Sequence, residues 1–162
     1  MKYELNVSSA GEQAFKQLAD QGIIVGRSVD LVAPELPSDI TNLGDEELME
    51  LFTAQTSYMD FLSFQTALAQ IDEREAEKKM DAAIAVATAN QPKGLAAVIK
   101  ATALADPKVA EISYDHSIKY NYRKIIEAMA ANVERDMYLV SRELTRRTSS
   151  GSVMTRSRKF VS

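Results

Sequence analysis

The chain has 162 residues with no cysteine and one histidine, which excludes disulfides and thiolate chemistry and leaves no set of histidines for a zinc site. Its net charge of -4 conceals a split: residues 1–141 carry 13 Lys and Arg against 22 Asp and Glu, whereas residues 142–162 carry six basic residues against Glu143 alone. An acidic body with a basic end directs the end, not the body, toward nucleic acid or another acidic surface.

No run of about 18 apolar residues occurs, and MKYELNVSS holds no hydrophobic signal core, so a cytosolic chain without membrane contact is expected. In chain order, Ser9 to Gln21 predicts a short helix capped by Ser9 and stopped by Gly22, burying Phe15 and Leu18. Residues 22–40, with two prolines, predict an extended arm with a brief strand at Ile23 to Val25, which would need a partner strand from another chain. Asp45, Glu46 and Glu47 place negative charge in the first turn of a long helix, although Gly44 lacks a capping oxygen. Nothing breaks that helix before Gln91-Pro92-Lys93-Gly94, a length of about 68 Å. Its half up to Ile71 is the more apolar and is expected to be the buried one.

Leu95 to Ala105 predicts a short alanine-rich helix, after which Asp106 can cap and Pro107 can open a second long helix reaching residue 147. Ile112, Ile118, Tyr122, Ile125, Ile126, Met129, Val133, Met137, Val140 and Leu144 form its apolar stripe. The expected fold is all-α: a long antiparallel helical hairpin over residues 41–147, preceded by a short helix and arm over 1–40 and followed by a basic flexible tail over 148–162. Polar interruptions in both stripes favour a hairpin within a larger bundle over a strict two-stranded coiled coil. Half-covered helices of this kind gain stability by self-association, so a homo-oligomer is expected.

Chemistry-bearing patterns are few. Asp72, Glu73, Glu75 and Glu77 alternate with Arg74, Lys78 and Lys79 as a solvated, charge-paired helix face does. His116 lacks a partner for base catalysis, and no metal-ligand pairing, nucleophile elbow or glycine-rich phosphate loop is present. The expectation is a non-enzyme without cofactor or metal. Tyr114, Tyr120 and Tyr122, interleaved with Lys119, Arg123 and Lys124, can stack on unpaired bases and meet phosphates, unless the tyrosines pack along the helix instead. Arg142, Arg146 and Arg147 complement a helix C-terminus, and Arg156, Arg158 and Lys159 can order on a phosphate backbone.

The strings LPSDITNLGDEELMELF, ALAQIDEREAEKKMDAA, ADPKVAEISYDHSIKYNYRKIIEAM and VSRELTRR, across residues 36–147, resemble the UvsY-like recombination mediators of bacteriophages. The resemblance implies a ring-forming protein that holds single-stranded DNA and helps load a RecA-like recombinase onto DNA covered by single-strand-binding protein, in the cytoplasm of an infected bacterium. By that resemblance Arg74, Lys78 and Lys79 match a basic helical segment associated with DNA contact. The Ile23 to Pro37 arm and the RSRKFVS end lie outside it. The competing expectation is a phage virion structural or assembly protein, whose arm and tail clamp neighbouring subunits or other virion proteins.

Overall fold

The structure, a computed structural model, describes residues 2–23, 28–30 and 33–158, with side chains at 4–23 and 33–149. It is an all-α helical hairpin with one small β-ribbon. The elements are β1 (Lys2–Glu4), α1 (Ser9–Asp20), β2 (Ser28–Asp30), a 3-10 turn (Ile40–Asn42), α2 (Asp45–Ala89), α3 (Ala96–Leu104) and α4 (Pro107–Arg158). Among the described residues no helix is long and apolar enough to cross a membrane.

Local signals set most boundaries. Ser8, rather than Ser9, caps α1, its hydroxyl accepting from the Gly11 N–H. Gly22, at φ 78°, closes the helix: its N–H donates to Ala19 O and the Ile23 N–H to Leu18 O, a paired stop that requires a left-handed residue. Gly44 opens α2 without a side chain because Glu47 reaches back to accept from the Gly44 N–H at 2.7 Å. Asp106 caps α4 through the Lys108 N–H at 2.8 Å, with Pro107 in the first turn as expected.

Two expectations need correction. Ile23 is not in a strand, and the rest of the strand expected to Val25 lies outside the described residues; β2 forms later and pairs antiparallel with β1, Tyr3 opposite Val29, so its partner comes from the same chain. The second long helix does not end at residue 147, because α4 continues through TSSGS to Arg158. Thr145 and Thr148 donate their hydroxyls to Ser141 O and Leu144 O, one turn back, which satisfies these side chains without breaking the helix. Lys159 lies outside the described residues.

The chain divides into two compact units. The first holds Met1–Glu4, Ser28–Ser63 and Ala128–Ser162, so it contains the ribbon, the start of α2 and the end of α4. Leu48, Gln55, Tyr58, Leu62 and Val140 are buried there. The second holds Leu5–Arg27 and Phe64–Glu127. In it α1 docks on α2: the Asn6 backbone exchanges hydrogen bonds with the buried Gln65 amide, Ser8 bonds Asp72, and a Cβ at Gly11 would meet Leu68 at 3.0 Å. Farther along, Ala87, Ala103 and Val109 bring α2, α3 and α4 together, with Ala83 and Ile84 packed around them. The expected burial of Phe15 holds, whereas Leu18 is half-buried.

Over residues 48–76 of α2 and 109–147 of α4 the inward positions follow heptad spacing, and the apolar pattern on them is imperfect, as expected. On α2, Leu48, Leu51, Gln55, Tyr58 and Leu62 in the first unit, then Gln65, Ala69, Asp72 and Ala76 in the second, are buried or half-buried at alternating steps of three and four. On α4 the same steps run through Val109, Ile112, His116, Lys119, Arg123 and Ile126, then Ala130, Val133, Met137, Val140, Leu144 and Arg147. Polar and small residues fill many of these seam positions, which blurs the apolar stripe.

Gln55 is 1% exposed, and both atoms of its amide lack a hydrogen-bond partner among the described residues. A buried unpartnered amide is unfavourable by about 1–3 kcal/mol. Gln55→Leu, close in volume, is therefore expected to stabilise the protein by about that amount, read as a higher urea midpoint at unchanged m.

Candidate nucleic-acid interface

The heptad seam divides the candidate cations into those used inside the fold and those left outside. Lys119 and Arg123 occupy seam positions of α4 in the second unit. Lys119 is half-buried and stands 3.9 Å from Asp115. Arg123, its side chain 15% exposed, makes a two-pronged pair with Glu73 of α2, through Nε and, at 3.2 Å, Nη2, while Nη1 bonds Glu127. The hydrogen bond to Glu73, then that to Glu127, raises its pKa. This geometry leaves Arg123 little to offer a phosphate, against the open position expected from the sequence. Lys124 stays exposed, pairs with Glu127 at 3.2 Å and lies 5.8 Å from the Tyr120 ring centroid.

Arg147 has the same fate in the first unit. Its Nε donates to Glu143 at 2.8 Å, Nη1 to Leu43 O at 2.9 Å and Asp45 at 2.8 Å, and Nη2 to Thr41 O at 3.1 Å and Ile40 O at 3.4 Å. All five N–H donors of the guanidinium are thus engaged. The carbonyls it meets belong to the 3-10 turn and to Leu43, which directly follows it. Glu143, itself buried, takes Arg146 as well as Arg147, and these two hydrogen bonds hold its carboxyl down at about 2.

The outward face of α4 in the first unit is different. Arg135, Tyr138, Arg142 and Arg146 recur at steps of three and four on one side of the helix, all exposed. Tyr138 is 65% exposed. Ser141 and Thr145 complete a shallow groove with Tyr138, Arg142 and Arg146. Arg135 rests 3.6 Å from Asp136 and Arg146 bonds Glu143 at 2.7 Å, while Arg142 has no ion pair among the described residues. A planar ring set among guanidinium groups can stack a base and meet the phosphates on either side. Arg135 and Tyr138 do not stand out in the sequence, although their spacing to Arg142 and Arg146 is the signal that places them on one face.

On α2, Arg74 and Lys78 are exposed one turn apart without an ion pair among the described residues, and Lys79 pairs with Glu75. Tyr114, Tyr120 and Tyr122 are all exposed, so none is absorbed by packing as Tyr122 was expected to be if the stripe were buried. They do not share one surface: at about 100° per residue, Tyr120 projects well round the helix from Tyr114 and Tyr122. Arg156 and Arg158 belong to the helical end of α4. Among the described residues no cluster of potential metal ligands occurs. Comparison with protein families, characterised proteins and solved structures finds no match to this chain.

Two outcomes test the Arg147 and Glu143 geometry. Since Glu143 is depressed from 4.5 to about 2, its stabilising effect is fully present above 4.5 and is lost as pH falls through about 2. Thermal midpoints measured between those limits should fall more steeply for the native chain than for Glu143→Gln. Arg147→Lys, which keeps the charge but not the five-donor fork, should lower the midpoint at neutral pH.

Proposed function

We propose that the protein is a non-enzymatic, oligomeric binder of single-stranded DNA that assists recombinase loading as a phage recombination mediator. The observation that carries this reading is Tyr138 set among Arg135, Arg142 and Arg146 on one exposed face of α4. Guanidinium groups supply backbone attraction without base readout, and the ring supplies sequence-tolerant stacking, the two requirements of a protein that must hold any single strand. The exposed Arg74 and Lys78 on α2 add to it, at the positions the UvsY-like resemblance implies for DNA contact. The loading role, with a recombinase and a single-strand-binding protein as partners in the host cytoplasm, rests on that resemblance alone.

A phage assembly protein is the second reading. Of the arm expected to clamp neighbours, β2 pairs with β1 of the same chain, and the reading draws support from exposed apolar side chains, among them Leu95 and Val98.

Fluorescence anisotropy with a labelled oligothymidylate, over a salt series, tests the first reading. Arg135→Gln with Arg142→Gln should weaken binding and reduce the salt slope by about 1.4, since each phosphate neutralised on a single strand contributes about 0.7. Tyr138→Ala should cost about 1–3 kcal/mol, and Tyr138→Phe, which keeps the ring, far less. No binding by folded native protein at low salt would sink the mediator reading and leave the assembly one.

A further inference from the structure

In the second unit α4 carries an apolar stripe on a different side from the seam facing α2. Tyr114 is 69% exposed, Ile118 50%, Tyr122 39% and Ile125 61%. At about 100° per residue the four fall within an arc of roughly 80°, away from the side that carries Val109, Arg123 and Ile126. No charged residue interrupts that arc between Tyr114 and Ile125, and the flank through Ser117 and Asn121 is uncharged. Between Ile112 and Ile126 the seam toward α2 holds His116, Lys119 and Arg123, so the apolar stripe of this segment lies outside that seam.

We infer that this stripe is the contact between two copies of the chain, packed antiparallel through α4. The order Tyr, Ile, Tyr, Ile is self-complementary in that direction: Tyr114 faces Ile125 of the partner subunit and Ile118 faces Tyr122 of the partner subunit, so each large ring meets a branched aliphatic chain. Parallel packing would set Tyr against Tyr and Ile against Ile at every layer. The tyrosine hydroxyls remain at the wet edge, where they need no buried partner. A two-fold axis closes the contact, because one patch serves both copies. Taking about 200 Å² for each side chain and its exposed fraction gives about 400 Å² on each copy and about 800 Å² in the pair. That lies below the standard size of stable interfaces, so the association is weak and concentration-dependent. Within the second unit the stripe leaves Tyr120 and Lys124 outside the contact. It deepens the proposed function by supplying an interface for the oligomer on which that reading rests, and it doubles the number of DNA-binding faces held together.

Sedimentation velocity on the full chain without DNA, up to about 200 µM, reads the association directly. Ile118→Asp with Ile125→Asp, its helicity checked by circular dichroism, should abolish it, while Val98→Asp on the exposed side of α3 should not. Because the native chain has no cysteine, single replacements give the direction independently of any folding defect. Tyr114→Cys mixed with Ile125→Cys should form a mixed disulfide on mild oxidation. Tyr114→Cys alone should not link to itself, since its two copies would stand about 17 Å apart along the helices. A native chain that stays monomeric, association that survives the double aspartate variant or is lost with Val98→Asp, or a self-linked Tyr114→Cys dimer would each overturn the inference. A chain that associates as described but ignores single-stranded DNA defeats only the nucleic-acid reading; one that binds DNA as a monomer defeats only this interface.

Discussion

Polar groups on a helix seam must find partners inside the protein, and that constraint organises each unit. Arg147 meets it in the first unit by donating all five hydrogens to the 3-10 turn, the start of α2 and Glu143. Arg123 meets it in the second through Glu73 and Glu127, and Gln65 through the Asn6 backbone. Apolar side chains tolerate a shifted neighbour, but a fork of hydrogen bonds fits one alignment only. Leu48, Leu62 and Val140 supply burial, and the polar seam supplies register. Gln55 departs from this arrangement, a buried amide without a hydrogen-bond partner among the described residues.

The same constraint explains what could be read in the sequence. Asp45 to Ala89 was legible as one helix because no Gly or Pro interrupts it and its first turn is acidic. Asp106-Pro107 announced α4, and Gly22 the end of α1, through chemistry confined to neighbouring residues. The heptad was harder to see, because Gln55, Gln65, Asp72, Lys119, Arg123 and Arg147 interrupt the apolar pattern at the very positions that face inward. Charge alone does not sort the cations: an arginine on a seam and one on an open face look alike until the partners across the hairpin are known. Lys119 and Arg123 do sit seven residues after Ile112 and three before Ile126 in a continuing alternation of three and four, and that spacing was the available clue. TSSGS suggested a chain leaving its helix, yet hydroxyls that bond one turn back are compatible with a continuous one.

With the inward cations set aside, the basic character of the chain has a narrower location than its totals imply. Arg135, Tyr138, Arg142 and Arg146 are held along one face of α4, which reduces the ordering cost of meeting a polymer.

The five-bond grip of Arg147 also has a mechanical consequence. Paired helices with heptad seams can regain their packing only after a slip of seven residues, about 10.5 Å, so small displacements lower no energy. Under a pull along the helix axis the first unit would resist stiffly and then yield at once, because one guanidinium holds the turn, the start of α2 and Glu143 together. Such a unit transmits load without creeping, and it fails as a latch fails.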